Sequence, residues 1–170
     1  MKVIVSKIPE EGKVLSATEK ADMLGFSRDE IEGEIDVTAS IHRAGEALFF
    51  EGTIRTTIRL QCGRCLKEFL LPTDIQFSGH GEPLPESHGE EEEELRRGDI
   101  DVHYYQGDVL EFNDIFHEQI VLSFPMRPLC DEGCKGLCPH CGRDLNEGPC
   151  KCKETSTDPR WTSLKRFTDR

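Results

Sequence analysis

Apolar and polar positions alternate most clearly between residues 31 and 78. Ile31, Gly33, Ile35, Val37, Ala39 and Ile41 recur with a period of two. After a polar interruption at 42–46, where Ala44-Gly45 suits a hairpin turn, the alternation resumes in Phe50, Ile54, Thr56, Ile58 and Leu60. Cys62-Gly-Arg-Cys65 interrupts it, and Leu66, Phe69, Leu71, Ile75 and Phe77 continue it. A period of two with polar residues between predicts an antiparallel meander with one wet face.

The flanks are less regular. Val3, Ile4, Val5 and Ile8 suit a short strand in an otherwise mixed stretch, and Ser27-Arg-Asp-Glu30 has the spacing of a capping box. Residues 79–98, with Pro83, Pro85 and the run Glu90 to Glu94, have almost nothing to bury and read as a loop. The bland reading of the run is a solvated segment; the sharper one is a mimic of nucleic-acid charge or a dock for a basic protein. Ile100, Val102 and Tyr104 predict a short strand, and Gln106-Gly-Asp108 a turn. Phe112, Ile115, Phe116, Gln119 and Ile120 fall at helical spacing, with Asn113 or Asp114 as N-cap and Pro125 as the stop. This helix covers the sheet, and its aromatic stripe reads as core. His117 on it reads as a surface or core residue. The expected fold class is α+β: an antiparallel β-meander covered by one main helix, with a C-terminal Cys-rich zinc-knuckle module. The expected division is 1–129 for the β-rich domain, 130–152 for the Cys-rich module and 153–170 for a basic tail.

Charge changes the picture. The 170 residues carry a net charge of −12, whose average field repels phosphates and speaks against free nucleic acid as the first partner of the body of the protein. The excess is uneven: 130–170 holds eight Lys/Arg and seven Asp/Glu, and 151–170 holds six basic residues against three acidic. A basic tail on an acidic body suits a bipolar binder. No stretch reaches the about 18 apolar residues of a membrane span, and the first 20 residues lack the pattern of a signal peptide. The expected compartment is the cytoplasm.

Eight cysteines are the most informative feature: Cys62-x2-Cys65, Cys130-x3-Cys134-x3-Cys138-x2-Cys141 and Cys150-x-Cys152. Zinc takes four thiolates in a tetrahedron, and two Cys-x2-Cys knuckles are a strong signal for it. In Cys138-Pro-His-Cys141-Gly142, Pro139 fixes one φ and Gly142 permits the left-handed turn that follows. Two partitions give sites of four. One gathers Cys138, Cys141, Cys150 and Cys152 locally and leaves Cys62, Cys65, Cys130 and Cys134 for the other site. The other partition joins Cys62 and Cys65 to Cys138 and Cys141 as a zinc ribbon. Short-range closure costs less entropy and favours the first. One or two Zn2+ ions are expected. Cys134-x3-Cys138-x2-Cys141 also has the spacing of radical S-adenosylmethionine enzymes, but no βα alternation follows it. A disulfide framework does not suit a reducing compartment. A thiolate redox switch is compatible with structural zinc. His80 and His140 are poor ligand candidates beside a complete cysteine set. No phosphate loop, nucleophile elbow or zinc-protease helix is present, so the expectation is a protein that is not an enzyme and has no small-molecule substrate.

Several runs together resemble one family. They are Gln61-Cys-Gly-Arg-Cys-Leu66; Gly107-Asp-Val-Leu leading to Pro125-Met-Arg-Pro-Leu-Cys130; Cys134-Lys-Gly-Leu-Cys-Pro-His-Cys-Gly142; Asp144-Leu-Asn-Glu-Gly-Pro-Cys150; and Asp158-Pro-Arg-Trp161. In this order, from about Ile31 to Phe167, they resemble the bacterial and plastid large ribosomal RNA subunit accumulation proteins. The resemblance implies a role in 23S ribosomal RNA accumulation and large-subunit assembly, with ribosomal RNA or a large-subunit ribosomal protein as partner and no catalytic residues. On that picture the acidic body holds a basic protein, while Lys151, Lys153, Arg160, Lys165, Arg166 and Arg170 meet phosphates and Trp161 stacks on a base. The plainer reading of Trp161 and Leu164 is an amphipathic turn docked on the domain. The alternative function is a zinc-thiolate redox sensor or holdase chaperone.

Overall fold

The computed structural model describes residues 1–84 and 102–152. Among these residues the strands are β1 (Lys2–Ile4), β2 (Lys13–Lys20), β3 (Ile31–Ala44), β4 (Ala47–Gln61), β5 (Glu68–Pro83), β6 (Val102–Tyr105) and β7 (Val109–Glu111), followed by one α-helix, α1 (Asn113–Leu122). Five strands form one sheet in the order β2-β3-β4-β5-β6, and β1 pairs with β7 in a separate two-stranded sheet. This is an α+β fold. The predicted meander is its centre: β3, β4 and β5 pair antiparallel, and the inward positions Ile35, Val37, Ala39, Ile41, Leu48, Ile54 and Ile58 are all buried.

The helix lies on this apolar face. Phe112 stands edge-on to Phe50 with ring centroids 5.0 Å apart, and Phe116 edge-on to Phe77 at 5.6 Å. Such pairs add about 0.5–1.5 kcal/mol beyond the area they bury. His117 is structural: its Nδ1 lies 2.8 Å from the Leu24 carbonyl oxygen and its ring stacks on Phe26.

The structure differs from the sequence pattern in several places. Neither Asn113 nor Asp114 caps α1. Phe112 occupies the N-cap with no side-chain bond, and Asn113 is committed elsewhere, taking the Met1 nitrogen on Oδ1 and donating Nδ2 to the Met23 carbonyl oxygen. Gly33 does not point into the core; it sits at φ 81 where the β3–β4 register shifts between Glu32 and Asp36, a bulge that only a residue tolerant of positive φ fits easily. Strand β2 has too few apolar residues to have been read at all. Strand β5 runs past 79 to Pro83 because its inward positions there are glycines, over which other side chains lie: a Cβ on Gly79 would stand 2.9 Å from the Phe50 ring, and one on Gly81 3.0 Å from Leu110. Strand β6 is present but adds parallel to β5. Parallel pairing needs a crossover of about a dozen residues or more, which 84–101 provides. Its phase is also reversed, since Tyr104 faces out and Tyr105 is buried with its hydroxyl donating to the Glu46 carbonyl oxygen at 2.6 Å. Ile100 and the Glu90 to Glu94 run lie outside the described residues.

Candidate metal centres

The β4–β5 connection is the first Cys-x2-Cys knuckle. Gln61 and Glu68 are the last paired residues of the two strands. Within the corner, Leu66 N–H donates to the Cys62 carbonyl oxygen at 2.9 Å, and Cys62 N–H to the Lys67 carbonyl oxygen at 2.9 Å. The second knuckle repeats the turn. Gly142 N–H donates to the Cys138 carbonyl oxygen at 2.9 Å, Cys138 N–H to the Arg143 carbonyl oxygen at 2.8 Å, and Leu137 bridges Asp144 as Gln61 pairs with Glu68. Gly142 takes φ 70 after its second cysteine, as the sequence suggested. The corresponding residue in the first knuckle is Leu66, at φ 60 and exposed. Leu66 therefore belongs to the turn and not to the following strand.

The chain gathers its cysteines into two groups, Cys62, Cys65, Cys130 and Cys134, and Cys138, Cys141, Cys150 and Cys152. In each, the sulfurs all lie within 4.8 Å of one another. This is the partition that short-range closure favoured; the ribbon-like joining of Cys62 and Cys65 to Cys138 and Cys141 is not formed. Four thiolates about 2.3 Å from a central ion at tetrahedral corners stand about 3.8 Å apart. Cys62 and Cys134 sulfurs are 3.8 Å apart, Cys65 and Cys130 3.6 Å, and Cys138 and Cys150 3.4 Å. These separations fit a tetrahedral cation site and greatly exceed the about 2.05 Å of a disulfide bond.

The local electrostatics favour thiolates at the head of each knuckle. The amide of Cys130, then those of Cys65 and Arg64, hold the Cys62 thiol down at about 6. The amides of Cys141 and His140 do the same for Cys138, also to about 6. Crowding by neighbouring sulfurs works the other way: Cys65 pushes Cys130 up to about 12, and Cys141 pushes Cys152 up to about 12. A cation entering either group relieves this crowding, because it attracts every thiolate at once.

The sequence reading missed the residues that tie the two groups together. Lys67 on the first knuckle reaches Asp144 Oδ2 at 2.7 Å and Glu147 Oε1 at 2.9 Å, both on the loop that carries the second group. These partners hold its ammonium well above its ordinary pKa, and Lys67 in turn holds the Asp144 carboxyl low. Arg64 donates from Nη1 to the carbonyl oxygens of Glu132 and Cys134. Asn146 donates from Nδ2 to the Cys134 sulfur at 3.4 Å and accepts from the Lys135 amide at 2.8 Å. Asp144 and Asn146 were visible only as part of a longer run; spacing alone gives an amide no link to a sulfur twelve residues away. His140 lies in the second knuckle, its amide 3.5 Å from the Cys138 sulfur, and His80 sits far along β5. Lys151 is exposed beside Cys150 and Cys152, whereas Lys153, Arg160, Trp161, Lys165, Arg166 and Arg170 lie outside the described residues.

The fold and these centres define an α+β protein with two four-cysteine clusters able to hold metal ions. The profile of the large ribosomal RNA subunit accumulation protein YceD family matches residues 50–168, and the chain belongs to this family. Uncharacterized proteins of Mycobacterium bovis and Mycobacterium tuberculosis are each 24% identical over 133 residues, covering 76% of this chain and 60% of theirs. A chloroplastic large ribosomal RNA subunit accumulation protein homologue of Arabidopsis thaliana is 24% identical over 151 residues, covering 76% of this chain and 47% of its own. The chain thus spans about 60% of the length of the mycobacterial relatives. No solved structure matches it. Among the described residues no helix is long and apolar enough to cross a membrane.

Proposed function

We propose that this protein is a non-catalytic factor that supports 23S ribosomal RNA accumulation and large-subunit assembly in the cytoplasm, working as a zinc-stabilised binding scaffold. Membership of a family named for large ribosomal RNA accumulation carries the reading. In support of zinc, both groups are all-thiolate and sized for a tetrahedral ion, and sites of this kind are usually closed and structural. On this reading Cys62, Cys65, Cys130 and Cys134 hold one Zn2+ and Cys138, Cys141, Cys150 and Cys152 a second. Segment 130–152 is then the metal module and 153–170 a basic tail directed at ribosomal RNA. The partner of the acidic body is a large-subunit ribosomal protein.

The test has two arms. Elemental analysis of the reduced protein should give two zinc ions per chain, and depletion in cells should lower 23S relative to 16S ribosomal RNA. Normal 23S levels would overturn the assembly role, and zinc-free protein of native stability would overturn the scaffold. For the tail, Lys165→Ala with Arg166→Ala should weaken RNA binding and reduce its salt dependence; unchanged affinity would remove RNA from the reading. The second reading, a thiolate redox sensor or holdase, draws on the exposure of Cys130, Cys141 and Cys152. It would require peroxide to release zinc at concentrations that leave the rest of the protein unmodified.

A further inference from the structure

The loop between Cys141 and Cys150 belongs to both cysteine groups. Its two ends are ligands of the second group, but its middle serves the first. Asn146 donates from Nδ2 to the Cys134 sulfur at 3.4 Å, and its Oδ1 accepts from the Lys135 amide, beside that ligand, at 2.8 Å. Asp144 holds the Asn146 side chain in place. Its Oδ1 accepts from the amide and from Nδ2 of Asn146, each at 2.8 Å, while its Oδ2 meets the Lys67 ammonium at 2.7 Å. A row of bonded groups therefore runs from the first knuckle through Lys67, Asp144 and Asn146 to Cys134, and all of its middle lies on the loop of the second group.

The chain between the groups is pressed on the first knuckle as well. The Leu137 amide donates to the Arg64 carbonyl oxygen at 3.1 Å, and the Leu145 amide to the Gly136 carbonyl oxygen at 2.9 Å. A Cβ on Gly136, which takes φ 72, would stand 2.9 Å from the Arg64 carbonyl oxygen. The two groups differ in what else holds them. Cys62, Cys65 and Cys134 are buried, and the first two sit on the β4–β5 turn; in the second group only Cys138 is buried, and Cys141 and Cys152 are exposed. With little packing around it, the loop from Cys141 to Cys150 carries the entropic cost of closure itself. A cation that draws both cysteines to one point fixes the ends of the loop and meets that cost from its own binding free energy.

We infer that the two centres bind metal cooperatively: an ion at Cys138, Cys141, Cys150 and Cys152 fixes residues 142–149, holds the Asn146 amide on the Cys134 sulfur, and so tightens the grip of the first group on its own ion. An amide donating to a thiolate stabilises its charge and orients it toward the metal. The effect is reciprocal, because an ion in the first group keeps Cys134 as the thiolate that Asn146 seeks, and linkage requires the same factor in both directions. The chain then passes from empty to doubly loaded over a narrow range of free zinc, and the scaffold forms as a unit. This rests on the reading of both groups as zinc sites and adds how they are regulated.

The test titrates zinc into the full chain under reducing conditions, against a fluorescent chelator. The constant for loading both groups in the wild type is compared with the constant of the first group alone, in Cys150→Ser with Cys152→Ser, and of the second alone, in Cys62→Ser with Cys65→Ser. The wild-type constant should exceed the product of the two single-group constants about tenfold, and Asn146→Ala should bring that ratio to within about twofold of one. If Cys62→Ser with Cys65→Ser unfolds the end of the sheet, Asn146→Ala decides the matter in the other two backgrounds. It should weaken loading at least about tenfold in the wild type and less than about threefold in Cys150→Ser with Cys152→Ser, whereas a purely local role of Asn146 gives equal losses in both. A wild-type ratio near one, a ratio that Asn146→Ala leaves unchanged, or equal losses in the two backgrounds would overturn the inference and leave two zinc ions and the scaffold in place. A reduced chain that takes up no zinc would overturn the zinc reading, and the coupling with it.

Discussion

At the scale of single residues, the two knuckles differ where a difference is costly. After the second cysteine the turn needs a left-handed residue; the second knuckle supplies Gly142 at φ 70, the first Leu66 at φ 60. A leucine there holds strain of order 1 kcal/mol, and its side chain is 55% exposed, so it gains little from packing. Leu66→Gly should therefore raise stability by up to about 0.5 kcal/mol after the extra chain entropy of glycine is subtracted, read from urea denaturation of the metal-loaded protein. A fall would mean that Leu66 makes contacts worth more than its strain. Asn146 works in the opposite sense. It is the amide donor to the Cys134 sulfur and the acceptor for Lys135, and groups that orient metal ligands commonly affect affinity about 10–100-fold. Asn146→Ala should lower zinc affinity at the Cys62–Cys134 group by that order, measured by competition with a fluorescent chelator, while Cys138→Ser abolishes binding only at the other group.

At the scale of elements, what the sequence showed depended on whether a strand carries its own apolar residues. Strands β3 and β4 do, and their inward faces were readable at once. The end of β5 was not, because Gly79 and Gly81 are inward positions occupied by Phe50 and Leu110 from other elements. The helix was legible from its aromatic stripe, but its start was not, since Asn113 spends its side chain on Met1 and Met23. The cysteine partition was legible because loop closure ranks the two choices. Lys67 and Asn146 were not, because their partners are brought to them only when the chain beyond α1 folds back onto the β4–β5 turn. Gly52 shows how tight the centre of the sheet is: a Cβ there would stand 2.2 Å from the Thr38 carbonyl oxygen and 2.8 Å from the Phe77 ring. Gly52→Ala should cost about 1–3 kcal/mol, seen as a lowered unfolding midpoint with α1 still formed. The turn before β7 gives a pH dependence. Ser6 donates its hydroxyl and amide to the Asp108 carboxylate and so depresses the Asp108 pKa. A depressed carboxyl contributes stability above its unfolded pKa of about 4 and loses it as pH falls through the lower folded value. Asp108→Asn should destabilise the protein at neutral pH and shrink the difference in stability between neutral and acid conditions.

At the scale of the whole molecule, the buried apolar side chains among the described residues fall into two separate clusters. The large one joins the inner face of the sheet to α1, and the small one holds Cys62, Cys65 and Cys134 with Phe69, Leu129 and Leu137 against them. The first cysteine group lies in the small cluster and joins the end of the sheet, which Cys62 and Cys65 close, to the chain beyond α1, which supplies Cys130 and Cys134. The second group is tied toward the sheet by the Lys67 ion pairs, by the Leu137 amide donating to the Arg64 carbonyl oxygen and by Leu137 packing on the small cluster. Metal binding free energy is folding free energy where the site is not preformed, so its removal acts where the protein's own packing is least. Chelation under reducing conditions should leave the amides of β3, β4 and α1 protected from hydrogen exchange and release those of 130–150. Lys67→Ala in the metal-loaded protein should produce a milder opening of the same segment, because it removes the bridge and keeps the thiolates. If chelation instead unfolded the sheet and the segment in one transition, the cysteine groups would belong to the same cooperative unit as the core, and the about 50-residue stretch of alternating positions in β3–β5 would not be able to hold the fold alone.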